Sequence, residues 1–269
     1  MSGSARILLI NPNTSQQTTE LMARQARACL PAHVQLLTAT ARAGAPMITD
    51  EAGLRIAEQQ VLQLGLEFAD SLAADERVAD GLAVGGSGPR QAIVVAAFGN
   101  PGLVQLRAHP RLQWLKAQAS LAVWGIGEAA LTLAAQSASG QPRRFGIATT
   151  TPGLEASIAQ SVADLGLSAC FSGTRIPPGE PLALAALPEL QRERLAEAVA
   201  QCIELDGAQA VVIGGGPLAE AAQWLAPRFA VPVISPVAAA MQMALQHWAQ
   251  LDAANAQAAS RAMKLVDAA

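Results

Sequence analysis

The chain has 269 residues, of which 51% are hydrophobic and 14% are charged, and its formal net charge at pH 7 is −3. This small negative charge gives no electrostatic reason to expect nucleic acid or an anionic membrane as a partner. Aromatic residues make up 3% of the chain and Tyr is absent, which argues against base-stacking platforms and leaves a small molecule as the expected partner.

Short β-branched and apolar runs alternate with amphipathic segments rich in Ala, Leu, Gln and Glu along the whole chain. The first half predicts strands at residues 6–10, 34–40, 92–97 and 121–124. The second half predicts strands at residues 145–149, 167–173, 210–214 and 231–235. The clearest helix is predicted at 188–205, with Pro188 at its start and Gly207 just past its end. Turns are predicted at 85–90 and 137–144.

One strand-and-loop unit occurs in each half, as AIVVAAFGNPGL at 92–103 and AVVIGGGPLAEA at 210–221. Aligning the two units places Ala97 on Gly215. The first strand of each half also runs into a Thr-containing turn, NPNT or TTT. Two units of like order predict an α/β fold with two pseudo-symmetric domains, each a four-stranded parallel sheet flanked by helices. The active site is then expected in the interdomain cleft, at the carboxyl ends of the strands.

Six segments carry a more specific signal, namely ILLINPNTS, AAFGNPGL, GIGEAA, IATTTPGLEAS, VVIGGGPL and VPVISPVAAAM. Together they resemble the aspartate/glutamate/hydantoin racemase superfamily over nearly the whole chain, and they are most similar to hydantoin racemases. The resemblance implies two α/β domains with the C-terminal helix returning to the first, so the expected domains are 1–120 with 236–269, and 121–235. It also implies isomerisation without a cofactor, and it allows a homo-oligomer.

The chain departs from the family pattern at the two positions that would carry the chemistry. The resemblance implies a cysteine in each active-site loop, at the positions of Ala97 and Gly215. Racemisation needs a base on one face of the carbon and an acid on the other, and two thiols with pKa values near about 8.5 suit that task. Ala97 and Gly215 cannot transfer protons, so two-cysteine racemisation is predicted to be absent. Cys29, Cys170 and Cys202 lie in helical or strand patterns and are interpreted as small buried hydrophobes.

The loops after the strands supply the predicted substrate-binding residues. Because the NPNT turn lines the cleft in the family, Asn13 and Thr14 are expected to donate to a carboxylate or ring carbonyl, although capping alone would explain Thr14 or Ser15. Asn100 and neighbouring backbone N–H groups are available as an oxyanion hole. The full predicted set is Asn11, Asn13, Thr14, Arg42, Phe98, Gly99, Asn100, Thr149, Thr150, Gly215, Gly216 and Pro217.

Two carboxylates are the predicted proton-transfer groups in place of the thiols. Asp50 lies in the loop after the second strand, and Glu128 follows the fourth strand. The alternative for each is a helix N-terminal carboxylate that complements the helix dipole. Arg42 is assigned to a substrate carboxylate, with a solvated side chain as its alternative. The GIGEAA segment formally matches GxGxxA but lacks an acidic residue about 20 positions on, so nucleotide binding is not expected.

The expected cellular location and cofactor use are inferred from sequence features that are absent. No uncharged apolar run reaches about 18 residues, so no transmembrane helix is expected, and the N-terminal segment is typical of a strand rather than a signal peptide. The three Cys residues form no CxxC motif and indicate a reducing, cytoplasmic location. The three His residues are scattered without metal-ligand spacing, so no metal or other cofactor is expected.

These features predict a cofactor-independent enzyme of the racemase superfamily that acts on a small hydantoin-like or amino-acid-like carboxylate, by a route other than two-cysteine racemisation. A first alternative is a hydrolase, desulfurase or lyase acting on a hydantoin-type ring, with Asp50 or Glu128 as the base for an attacking water. A second alternative is a non-catalytic protein that binds a small ligand.

Overall fold

Two all-parallel sheets, one from each half of the chain, organise the protein in a computed structural model that describes residues 5–74, 90–119, 121–137 and 140–267. The first sheet has the order β2-β1-β3-β4, from β1 (Ala5–Asn11), β2 (Val34–Thr40), β3 (Gln91–Val95) and β4 (Leu121–Gly125). The second has the order β6-β5-β7-β8, from β5 (Phe145–Ala148), β6 (Phe171–Arg175), β7 (Val211–Ile213) and β8 (Val233–Ile234). The α/β architecture with two four-stranded parallel sheets is therefore confirmed.

Helices connect the strands and cover both faces of each sheet. In chain order they are α1 (Gln16–Cys29), α2 (Glu51–Ala73), α3 (Leu103–Ala108), α4 (Pro110–Ala119), α5 (Ile126–Ala135), α6 (Glu155–Asp164), α7 (Pro181–Ala185), α8 (Pro188–Glu204), α9 (Ala219–Leu225) and α10 (Pro236–Asp267). Short 3-10 turns lie at Pro152–Leu154, Ser168–Cys170 and Ala226–Arg228. Within the described residues, no helix combines the length and apolar character needed to cross a membrane.

Central strands bury side chains on both faces, which is why their sequences read as continuous apolar runs. Every residue of β3, β5 and β7 is buried. One apolar cluster runs through both halves of the chain and includes Ile7 of β1, Ile147 of β5 and Val212 of β7. The long C-terminal helix α10 packs against α1, β4 and α5, so it returns to the first half.

The sixth strand begins later than predicted. The sequence predicted a strand at 167–173, but residues 168–170 form a 3-10 turn and β6 starts at Phe171. Gly166, with a φ of +69°, ends α6, and the Leu167 N–H then donates to the Val162 carbonyl at 3.0 Å. Cys170 is consequently not in the middle of a strand. The predicted helix at 188–205 is confirmed to within one residue.

The strand Leu121–Gly125 pairs in parallel register with Gln91–Val95 and so belongs to the first sheet. The predicted domain boundary at residue 120 would separate this strand from its partners in the sheet. The division of the chain into domains stays a prediction. Of the predicted turns, residues 85–89 lie outside the described residues. At the other, the Ser137 hydroxyl donates to the Gln141 carbonyl at 2.6 Å.

Candidate functional site

The turns that follow β1, β3, β5 and β7 surround one narrow cavity, which we call the inner cavity. Ala97 after β3 and Gly215 after β7 both line it. Its other lining residues are Asn13, Met47, Ile48, Ala96, Phe98, Thr150, Thr151, Leu154, Gly214, Gly216, Pro217 and Leu218. Its volume of about 40 Å³ is far below the roughly 300–1,000 Å³ of ordinary ligand pockets, so the inner cavity is a narrow slot.

The NPNT turn after β1 is held together by its own side chains. Asn11 is fully buried, and its Nδ2 lies 2.9 Å from Asn13 Oδ1, 3.0 Å from the Ser15 carbonyl and 2.9 Å from Thr19 Oγ1. Asn13 Oδ1 also accepts the Ser15 N–H at 3.0 Å. The Asn11 amide is therefore fully engaged by the turn and the start of α1. The Asn13 Nδ2 has no partner among the described residues, and Asn13 lines the inner cavity.

Helix capping falls to Ser15 rather than to Thr14. The Ser15 hydroxyl accepts the Thr18 N–H at 3.2 Å and thereby satisfies one free donor at the start of α1. The Thr14 N–H donates to the Ala45 carbonyl at 3.1 Å, which ties the turn to the loop after β2. Thr14 does not line the inner cavity, and its predicted role in substrate binding gains no support from this position.

The threonine turn after β5 contains two neighbours in different situations. Thr149 is fully buried, and its hydroxyl donates to the Gly214 carbonyl at 2.6 Å, which joins the end of β5 to the end of β7. Thr150 is also fully buried, but its Oγ1 has no hydrogen-bond partner among the described residues. A buried polar atom without a partner costs about 1–3 kcal/mol, so an unpaired hydroxyl that lines a cavity favours a ligand there.

The loop after β3 presents its backbone, not its asparagine, to the inner cavity. Asn100 adopts a φ of +50°, and its Oδ1 accepts the Glu128 N–H at 3.3 Å at the start of α5. The Asn100 side chain therefore caps α5, and neither Gly99 nor Asn100 lines the inner cavity. Phe98 is buried in the cavity wall. Among the hydrogen bonds of the described residues, none uses the N–H of Phe98 or Thr150, so these donors are free for an oxygen of a ligand.

Two glycines bring the halves of the chain into close contact beside the inner cavity. A Cβ added to Gly216, in the loop after β7, would lie 2.6 Å from Met22 Sδ and 3.0 Å from the Ala96 carbonyl oxygen. A Cβ added to Gly153 would lie 2.5 Å from the Thr49 carbonyl oxygen. The contacted atoms of Met22, Ala96 and Thr49 all belong to the first half. Only a residue without a side chain permits such an approach of two backbones.

The two predicted carboxylates lie away from the inner cavity. Glu128 forms a two-point ion pair with Arg107, with N–O distances of 2.7 and 3.1 Å, and the Arg107 Nη2 also donates to the Val123 carbonyl. Asp50 caps α2 by accepting the Gly53 N–H at 2.8 Å. Both carboxylates therefore lie at a helix N-terminus, which was the alternative to a catalytic role. A catalytic role for either stays a prediction that its position does not support.

Arg42 is also engaged elsewhere. Its guanidinium donates two hydrogen bonds of 2.7 Å to Glu67 on α2, and these bonds hold the pKa of the Glu67 carboxyl below its usual value. Both side chains are largely exposed. Arg42 does not line the inner cavity, so the predicted pairing with a substrate carboxylate is not supported.

Among the residues that the structure describes, none that lines the inner cavity carries a titratable side chain. The cysteines do not change this, since Cys29 is exposed on α1 and Cys202 is buried on α8. Burial, and after it the nearby Asp206 carboxylate, raises the pKa of the Cys202 thiol to about 12. Among the described residues there is also no group of three or more His, Cys, Asp or Glu side chains placed to hold a metal ion.

Sequence reasoning missed part of the cavity wall. Met47 and Ile48 come from the long loop after β2, and Thr151 and Leu154 come from the turn and 3-10 helix after β5. The signal for Met47 and Ile48 was an apolar pair in a polar loop at the carboxyl end of a parallel strand. Leu218 was not predicted as a cavity residue, because in the sequence it continues the apolar pattern of the following helix.

The chain matches the family model described as Asp/Glu/Hydantoin racemase over residues 7–244. It is 25% identical over 239 residues to the hydantoin racemase of Paenarthrobacter aurescens, and the match covers 89% of each chain. It is 31% identical to the structure of allantoin racemase from Klebsiella pneumoniae, with a TM-score of 0.71 and coverage of 92% of this chain and 89% of that one. Allantoin racemase from Pseudomonas fluorescens shares the fold at 23% identity, with a TM-score of 0.69 and coverage of 90% and 89%.

Proposed function

This chain belongs to the Asp/Glu/hydantoin racemase family, and from that premise we propose that it acts without a cofactor on a small hydantoin-like or amino-acid-like carboxylate bound between its two halves. We propose further that it does not racemise this substrate with two thiols. One observation carries the second part: Ala97 and Gly215 line the same cavity, and no lining side chain is titratable. A cytoplasmic location and a homo-oligomer stay predictions.

Neutral hydrogen-bond donors supply the chemistry that this site offers. The Thr150 hydroxyl, the Asn13 amide and the free loop N–H groups can donate to a carbonyl oxygen as negative charge develops on it. Such stabilisation activates a ring carbonyl or thiocarbonyl toward an attacking water, which is the hydrolytic alternative. The proton of that water would pass to solvent or to the substrate, because the wall of the inner cavity holds no base.

A non-catalytic ligand-binding protein is the second candidate, and the same absence of titratable groups from the cavity wall favours it. The three possibilities differ in what happens to a hydantoin incubated with the protein in D₂O. Exchange of the α-proton without ring opening, followed by NMR, would contradict the hydrolase and support racemisation by groups other than two thiols. Ring opening would support the hydrolase. Binding without either event would identify a ligand-binding protein.

Restoring the thiols tests the binding site independently. In Ala97→Cys/Gly215→Cys, the new Cβ at position 215 would lie 3.2 Å from Leu218 Cγ and Cδ1, a contact that a small shift of the Leu218 side chain relieves. We expect this variant to gain hydantoin racemisation that the wild type lacks, and Ala97→Ser/Gly215→Ser to gain none, because Ser matches Cys in shape but lacks its acidity. A double-Cys variant that binds hydantoin but remains inactive would show that the substrate carbon does not lie between these positions.

A further inference from the structure

A larger cavity of about 330 Å³ adjoins the inner cavity and shares three wall residues with it, Met47, Pro217 and Leu218. We call it the outer pocket. Its walls come from α1 on one side and from the α7–α8 region and the start of α9 on the other. Because the inner cavity is small and the two cavities share these wall residues, a ligand whose ring lies in the inner cavity can extend a substituent toward the outer pocket.

The charged side chains of the outer pocket are two guanidiniums and one carboxylate, from Arg24, Arg192 and Glu220. Arg192 is held in place, since its Nε donates to the Pro188 carbonyl at 3.3 Å and its guanidinium lies 5.8 Å from the Trp224 ring centroid. Neither Arg24 nor Arg192 has a carboxylate partner among the described residues. The outer pocket therefore offers unpaired positive charge within a cavity whose other polar lining groups include the side chains of Gln17 and Gln191.

The two cavities favour opposite ends of a substrate. A carboxylate in the inner cavity would lose its water without gaining a cation, which is costly. The same carboxylate in the outer pocket could accept paired hydrogen bonds from a guanidinium. A neutral amide ring suits the Thr150 hydroxyl and the loop N–H groups, and a charged substituent suits Arg24 and Arg192.

We propose that the outer pocket is the specificity site for the substrate's substituent and that this substituent carries a carboxylate. This inference rests on the proposed function, since it assumes that the ring occupies the inner cavity. The preferred substrate class is thus a hydantoin with an acidic side chain, rather than one with an alkyl or aryl side chain.

Calorimetric titration with three probes tests the inference: hydantoin, hydantoin-5-acetate and hydantoin-5-acetamide. The acetate and the acetamide have nearly the same size and differ in charge. We expect the acetate to bind roughly tenfold more tightly than the acetamide, which corresponds to one charge-assisted hydrogen bond. The preference is expected to shrink as salt is added, because the pocket is open to solvent.

Matched variants connect the preference to the named residues. Arg24→Gln and Arg192→Gln are each expected to reduce the preference for the acetate over the acetamide. Glu220→Gln is expected to increase the preference, since it removes the opposing charge. Arg27→Gln is the control, because Arg27 lies on the same helix as Arg24 but does not line the outer pocket.

The outcomes separate this inference from the function on which it rests. Hydantoin binding with equal affinities for the acetate and the acetamide would overturn the inference and leave the proposed function intact. A preference for the acetate that survives both Arg→Gln substitutions would overturn the assignment to the outer pocket. Failure of all three probes to bind would overturn both the inference and the hydantoin-like substrate of the proposed function.

Discussion

Thr149 and Thr150 are adjacent and fully buried, yet within the described part of the chain only the Thr149 hydroxyl has a hydrogen-bond partner. Thr149→Val would leave the Gly214 carbonyl without its donor and is expected to destabilise the fold by about 1–3 kcal/mol. Thr150→Val replaces the unpaired hydroxyl with a methyl group of similar volume, so we expect stability to be equal to or higher than that of the wild type, and ligand affinity to fall roughly tenfold. Urea denaturation and calorimetric titration with hydantoin measure the two effects separately.

The two threonine variants control for each other, because they make the same chemical change one residue apart. A Thr150→Val variant that loses stability but binds hydantoin normally would show that the hydroxyl serves the fold. In that case the donors of the inner cavity would have to come from the backbone and from Asn13.

The Cys202 thiol has its pKa raised to about 12, chiefly by burial, and its Sγ lies 3.7 Å from the Ile147 carbonyl. Because the thiolate is the reactive form and Cys202 is also buried, Cys202 is expected to resist alkylation at about pH 8. Partial burial also raises the pKa of Cys29, but its exposed side chain is expected to react faster than that of Cys202. Mass spectrometry after iodoacetamide treatment would identify the modified residues. All three thiols should react in denaturant, and rapid modification of native Cys202 would contradict this account of its surroundings.

At the scale of elements, one ion pair fastens the edge strand β6 to the loop after α8. The Arg175 Nε and Nη2 donate to the two Asp206 oxygens at 2.8 and 2.6 Å, and these bonds hold the pKa of the Asp206 carboxyl below its usual value. A pKa that is lower in the folded state gives stability that is complete above the unfolded pKa of about 3.9 and is lost as the pH falls through the folded pKa. The pair should therefore lose its effect only in acid.

We expect Asp206→Asn to be less stable than the wild type at neutral pH and the difference to shrink below about pH 4. Urea denaturation at a series of pH values would measure it. Glu193→Gln is a suitable control, since this exposed carboxylate on α8 has no ion pair among the described residues. A difference between Asp206→Asn and the wild type that stays constant into acid would mean that the carboxylate's charge is not what stabilises the strand.

The sequence predicts elements better where both faces of a strand are buried. β3 and β7 are continuous apolar runs and were placed to within two residues. β6 lies at a sheet edge with every residue half-buried, so its apolar residues did not distinguish strand from 3-10 turn. The positions of Ala97 and Gly215 follow from the strands that precede them, because a strand end fixes where the backbone emerges.

The hydrogen-bond and ion-pair partners of most of these side chains could not be predicted from the sequence, because they lie on distant segments of the chain. Glu128 finds Arg107 and Arg42 finds Glu67 across separate elements, which withdraws both predicted residues from the inner cavity. Asn11 is withdrawn by local partners instead, since its amide donates to Asn13 in the same turn and to Thr19 on α1. The sequence thus predicts which loops form the cavity but not which of their polar groups remain free.

At the scale of the molecule, Gly153 and Gly216 set how closely the two halves approach. Gly153→Ala would place its Cβ 2.5 Å from the Thr49 carbonyl oxygen, and because that neighbour is backbone the segments must move apart. We expect a loss of about 1–3 kcal/mol in unfolding free energy, as for other overpacked contacts, together with weaker hydantoin binding. Thermal denaturation and titration check both, and an unchanged affinity would show that this contact does not control the cavity.

The described wall residues of the inner cavity are all neutral, so none of them binds or releases a proton as the pH changes. Carboxylates titrate near about pH 4 and lysines near about pH 10, and neither kind of group faces this space. Affinity for an uncharged hydantoin should accordingly be level from about pH 6 to 9, with any inflection belonging to the ligand. Thiols introduced at positions 97 and 215 would make ligand affinity depend on pH. If this dependence appears only in the double-Cys variant, the titrating groups that the wild type lacks belong at those two positions.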